Sequence, residues 1–137
     1  MGRILAFDFG TKRVGIAVTD PLKLIANSLE TTPTKDIHAF IKSYCAREEV
    51  EAFVVGYPFS HGHSANPVTE HIDRFIKTLE TAYPDKKVHR MDESFTSRMA
   101  SQTLLLSGKG KMDRRNKGHI DAISANIILQ SFLEMRK

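Results

Sequence analysis

The chain has 137 residues, 41% hydrophobic and 26% charged, which is the composition of one ordinary globular domain (1–137) long enough to bury a core, and excludes a disordered or fibrous chain. Twenty basic against sixteen acidic residues leave a formal net charge of +4, which permits a nucleic-acid partner without requiring one, and the single cysteine, Cys45, excludes an internal disulfide framework. No apolar run approaches about 18 residues and the first residues do not form a basic-then-apolar leader, so the expectation is a cytoplasmic protein with no membrane partner.

In chain order, Arg3–Phe9 and Arg13–Thr19 read as two strands joined by a Gly10-Thr11-Lys12 hairpin turn, and Asn27–Thr32 as a weaker third. Thr34 is placed to cap a helix over Lys35–Arg47, whose apolar set Ile37, Phe40, Ile41, Tyr44 and Cys45 has helical spacing; Cys45 there reads as a small core residue. Glu51–Tyr57 is a strand apolar on both faces, and Pro58–Ala65 a loop. Asn66-Pro67 opens a helix with Val68, Ile72, Phe75, Ile76, Leu79 and Tyr83 on one face, and Pro84 stops it. Lys87–Met91 is a short strand ending at Asp92-Glu93, Ser94 or Thr96 caps a helix to Ser107, Lys109–Asn116 is a basic loop, and Lys117–Arg136 is the last helix. Two antiparallel steps followed by strand–helix–strand crossovers imply an α/β fold with a mixed five-stranded sheet and helices on both faces.

Three acids stand out by position. Asp8 interrupts a strand that is otherwise apolar on both sides, where an uncompensated charge is expensive. Glu93, with Asp92 beside it, follows the last strand, and the carboxyl ends of strands are where open α/β sheets gather ligands. Asp121 shares a helical stripe with Ala125, Ile128 and Phe132, so it too breaks an apolar pattern. An Asp in such places is more often a turn former or cap, and the apolar settings of Asp8 and Asp121 weaken that reading. Carboxylates converging on one rim suit Mg²⁺ or Mn²⁺, which prefer oxygen donors, and the chemistry such ions support is phosphodiester hydrolysis.

The segment from Asp8 to Asp20 resembles the opening motif of the YqgF family, Holliday-junction-resolvase-like proteins assigned to 5′-end maturation of pre-16S ribosomal RNA. Val54-Val55-Gly56-Tyr57-Pro58 resembles the family's second motif, Asp92-Glu93-Ser94-Phe95-Thr96-Ser97 its third, and Lys117–Leu133 with Asp121 its fourth. The resemblance implies a ribonuclease H-like fold and Asp8, Glu93 and Asp121 as catalytic and metal-binding acids. The family commonly carries Arg after the Asp-Glu pair where this chain has Ser94; Arg98, one helical turn on, is the substitute at hand.

Lys109, Lys111, Arg114, Arg115 and Lys117 crowd the stretch before Asp121, and with Lys12, Arg13 and Arg98 they offer a basic rim for substrate phosphates, against the plainer reading of a solvated surface loop. Arg13 is the sharpest of these because the hairpin returns it beside Asp8. His61 and His63 are a weak metal signal, His119 reads as a surface residue close to Asp121, and Tyr57 and Phe59 suit either base stacking or packing. The partner expected is nucleic acid: precursor rRNA first, branched DNA as the alternative, bound by a monomer or a homodimer. Two further readings are a non-catalytic RNA-binding assembly module and an ATPase, since Asp8-Phe9-Gly10-Thr11 also resembles the first phosphate loop of actin-like enzymes. Against the ATPase, those enzymes close two such domains around the nucleotide, and no Walker-type loop is present.

Overall fold

A computed structural model describes residues 2–57, 67–92 and 117–136, with backbone alone at 67, 68, 92, 117–122 and 136. The strands are β1 (Arg3–Phe9), β2 (Arg13–Thr19), β3 (Ala26–Pro33), β4 (Val50–Tyr57) and β5 (Lys87–Asp92); the helices are α1 (Ile37–Arg47), α2 (Pro67–Ala82) and α3 (Lys117–Arg136). The strands form one sheet in the order β3-β2-β1-β4-β5. β1 is antiparallel to β2 and parallel to β4, β2 is antiparallel to β3, and β4 is parallel to β5. This is the mixed five-stranded sheet that the order of elements implies, with β1 at its centre.

Strand alternation divides the core between the two faces. Leu5, Phe7 and Phe9 of β1 join Val14, Ile16, Phe53 and Val55 beneath α1 and α2, which contribute Ile37, Ile41, Tyr44, Ile72, Phe75, Ile76 and Leu79. Ile4 and Ala6 join Ala17, Ala52 and Val54 on the other face, beneath Ala125, Ile128, Leu129 and Phe132 of α3. β1 is apolar on both sides because it is covered on both sides. Cys45 is half-buried against the first cluster, and burial pushes its thiol pKa up, as suits a packing residue.

β4 and β5 are each one residue longer than the sequence reading, at Val50 and Asp92, and the differences with a longer-range cause are in β3 and α1. β3 extends to Ala26 and Pro33 because these pair with Thr19 and Arg13 of β2, a long-range pairing that local composition does not reveal. The helix expected from Lys35 opens instead with a 3₁₀ turn, Thr34–Asp36, and α1 begins at Ile37. Thr34 does not cap it: its hydroxyl donates to the Gly10 carbonyl at 2.7 Å, and the N-cap of α1, Asp36, makes no side-chain cap bond. The start of α2 at Pro67 agrees with the sequence; the cap Asn66, the Pro58–Ala65 loop, the helix expected over Ser94–Ser107 and the Lys109–Asn116 loop lie outside the described residues. None of the described helices is long and apolar enough to cross a membrane.

Candidate active site at the carboxyl rim of the sheet

Asp8 is the next residue after Ala6 on the face that carries α3, one position before β1 ends, and it is half-buried. Its partner on β2 is Gly15, just as Ala6 is opposite Ala17. On the other side Phe7 is level with Val55, so the next step of the same ladder sets Gly56 of β4 beside Asp8. The carboxylate therefore has a glycine on each flanking strand, and neither neighbour sends a side chain into the space next to it. Gly15 and Gly56 are both buried. A glycine inside a strand weakens the strand, so two of them around one acid mark a place where something approaches the backbone closely.

The chain leaves β1 through Gly10, whose N–H donates to the Arg13 carbonyl at 3.0 Å. A Cβ at Gly10 would stand 2.7 Å from that same carbonyl oxygen, so only glycine fits this approach. Thr34 closes the turn from β3's side: besides the hydroxyl bond to Gly10, its N–H donates to the Lys12 carbonyl at 3.0 Å. Residues Asp8–Arg13 line a cavity of about 290 Å³. Lys12 is exposed there and Arg13 half-buried.

Asp121 lies in α3, one turn before Ala125, whose stripe continues through the buried Ile128 and Phe132 as the sequence spacing predicts. That stripe packs on the same face of the sheet as Ile4 and Ala6, so Asp8 and the helix bearing Asp121 share a face. Glu93 lies just past β5, outside the described residues. The backbone of Asp92 pairs with Tyr57, at the level where β1 ends. Of the basic set, Lys12 and Arg13 flank Asp8; Lys117 begins α3; Arg98, Lys109, Lys111, Arg114 and Arg115 lie outside the described residues, as do Phe59, His61 and His63. Among the described residues no three His, Cys, Asp or Glu side chains stand together as a metal cluster.

Tyr57 belongs to the opposite face. It packs against the cluster under α1 and α2, its hydroxyl donates to the Asp73 carboxylate at 3.2 Å, and Arg90 lies 5.6 Å from its ring centroid and 3.9 Å from Asp73. Burial first, and then the bond to Asp73, push the Tyr57 pKa up. A ring already packed and stacked by Arg90 is a rim-packing residue rather than a base platform. A larger cavity, about 630 Å³, lies at the far end of β1, between Leu22–Ala26 and the second half of α3. Its lining mixes Leu22, Leu24, Ile25 and Leu133 with Lys23, Gln130 and Glu134, and Asp8 does not border it, so size does not mark the site here.

Sequence reasoning missed Thr34 and the glycine pair. The glycines carried a signal, since Gly15 and Gly56 each interrupt a strand read as apolar; Thr34 carried a misleading one, because a threonine before a helical pattern reads as a cap.

Among solved structures, T. thermophilus RuvC in complex with a Holliday junction substrate matches with a TM-score of 0.60 at 16% identity, over 98% of this chain and 96% of that one. The likeness defines the fold as RuvC-like, within the ribonuclease H-like class. The model of the RuvX family, described as Holliday junction resolvase, matches residues 2–135. Relatives named "Putative pre-16S rRNA nuclease" include one from Amoebophilus asiaticus, 47% identical over 137 residues, spanning 100% of this chain and 97% of that protein. Another from Porphyromonas gingivalis is 48% identical over 134 residues, spanning 98% and 97%. The chain belongs to the RuvX family.

Proposed function

We propose that this protein is a nuclease that hydrolyses phosphodiester bonds at the 5′ end of precursor 16S rRNA, with Asp8, Glu93 and Asp121 as its catalytic acids. The observation that carries the reading is the setting of Asp8: a half-buried carboxylate at the carboxyl rim, with a glycine on each flanking strand and α3 over the same face. The names of the full-length relatives support the substrate.

The parity of β5 supports Glu93 over Asp92. The His89 ring packs tilted against Phe132, centroids 4.8 Å apart, and Met91 packs in the α3 cluster, whereas Val88 and Arg90 serve the α1/α2 face. Odd positions of β5 thus belong to Asp8's face, and the next odd position is 93. Asp8, Glu93 and Asp121 are hard oxygen donors of the kind Mg²⁺ or Mn²⁺ takes, and an ion held by them would supply water activation and charge neutralisation at phosphorus. The chain's own part would be to carry Asp8 on β1 and Asp121 on α3, and to bind the flanking phosphates through Lys12 and Arg13 and through the basic residues from Arg98 to Lys117.

The test incubates purified protein with a transcript of the precursor 16S 5′ region and Mg²⁺ or Mn²⁺. Cleavage is expected, and Asp8→Asn, which keeps size but removes the charge, should lower it by at least about 100-fold. Cleavage by Asp8→Asn at the wild-type rate would remove Asp8 from the mechanism. The RuvX description and the RuvC neighbour favour one second reading, hydrolysis of branched DNA, and a four-way junction supplied in place of the transcript separates the two.

A further inference from the structure

We infer that Thr34 is a positioning residue for substrate binding: it pins the turn that carries Lys12 and Arg13, and so presents these cations to the nucleic-acid backbone beside Asp8. The inference rests on the proposed nuclease reading. Thr34 stands 24 residues from Gly10 in sequence, yet it holds the turn at two points, with its hydroxyl on the Gly10 carbonyl at 2.7 Å and its N–H on the Lys12 carbonyl at 3.0 Å. The third tie, Gly10 N–H to the Arg13 carbonyl, is internal to the turn. Pairing of Arg13 with Pro33 brings Thr34 into reach, and Pro33 has no N–H of its own to donate.

Each of the two Thr34 ties acts on a peptide unit that borders Thr11 or Lys12. A trans peptide is planar, so a captured carbonyl also fixes the direction of the N–H that follows it. Holding the Gly10 and Lys12 carbonyls thus sets the orientation of the Thr11 and Arg13 amides and the exit vector of Lys12. A turn of this length joins two strands whether or not a distant hydroxyl grips it. The added grip orders a cation before substrate arrives, so that less ordering is left to be done on binding. Thr34 is only half-buried, so its hydroxyl would otherwise be free to bond water.

The experiment compares Thr34→Val, which keeps the shape and the N–H bond but loses the hydroxyl, with Thr34→Ser, which restores the donor; Thr34→Ala is a second deletion without the β-branch. The probe is a transcript of the precursor 16S 5′ region, with its Kd measured across a KCl series and its cleavage rate measured at saturation. Thr34→Val and Thr34→Ala should raise Kd about three- to tenfold, with the saturated rate within about twofold of wild type, while Thr34→Ser stays within about twofold in both. Lys12→Ala should raise Kd in the wild-type background and add little to Thr34→Val, and each should lower the salt slope by about one. Wild-type Kd in both deletions while Lys12→Ala still weakens binding would overturn the inference. So would fully additive effects of Thr34→Val and Lys12→Ala, or loss of folding in both deletions, which would make Thr34 a folding residue. The nuclease reading is judged separately, by wild type against Asp8→Asn on the same transcript; if wild type neither binds nor cleaves it, both fall.

Discussion

Asp8 and Gly10 show how much can be read from single residues and where that reading stops. The misfit of Asp8 in an apolar strand is visible in the sequence, because charge at a buried position needs a reason whatever surrounds it. That its two flanking neighbours are Gly15 and Gly56 is not visible, because the register of β1 against β2 and β4 decides it. Gly10 was legible as a turn residue but for an incomplete reason: its constraint is the Arg13 carbonyl 2.7 Å from where a Cβ would sit. The contact is with backbone, which cannot rotate away as a side chain can, so Gly10→Ala must displace the end of β1 or the start of β2. We expect it to lower stability by about 1–3 kcal/mol, seen as a lower urea midpoint at unchanged slope. A midpoint equal to wild type would mean that the turn has a second low-energy form.

At the scale of elements, legibility followed the kind of burial. β1, β2 and β4 were readable as apolar runs, and the stripe of α2 as Ile72, Phe75, Ile76 and Leu79, because each depends on its own segment alone. The ends of β3 and the start of α1 depend on distant partners, namely Thr19 and Arg13 for the strand and Gly10 for Thr34, and these the local pattern misassigned. The β2–β3 connection is likewise built around one side chain. The Asp20 carboxylate accepts from the Leu24 and Ile25 N–H groups at 2.9 Å and from Leu22 at 3.2 Å, and these bonds, Ile25's foremost, hold its pKa below the usual carboxylate value. A carboxyl lowered by folding stabilises the loop at pH above its unfolded pKa and stops doing so as pH falls through the folded one. Amide-exchange protection of Leu24 and Ile25 should therefore hold from about pH 6 down to the ordinary carboxylate range and fall below it. Asp20→Asn, an acceptor without the charge, should remove the acid-dependent drop; a drop that persists would place the titrating group elsewhere.

For the whole molecule, the net charge of +4 hides a strong segregation. From Arg98 to Lys117 the sequence holds six basic residues against one acid, Asp113, a net of +5, so the remainder of the chain nets −1. A protein with nearly neutral bulk and one concentrated basic stretch, set in sequence between Glu93 and Asp121, has little long-range attraction for nucleic acid apart from that stretch. Its affinity should then depend on few phosphate contacts, and those contacts should be local to the proposed site. With roughly three to five phosphates neutralised, Kd for the precursor transcript should rise about 20- to 500-fold between 50 and 200 mM KCl. Replacing Lys109, Lys111, Arg114 and Arg115 together by Ala should flatten most of that dependence, whereas replacing an equal number of exposed lysines on α1 and α2 and at the start of β5, such as Lys42, Lys77 and Lys87, should leave the slope nearly unchanged. The contrast matters because general charge loss weakens binding in both sets, and only a localised contact surface changes the slope in one. Equal slopes for the two sets would mean that the chain attracts nucleic acid through its overall field, and the basic stretch would then be a solvated loop with no share in holding substrate against Asp8.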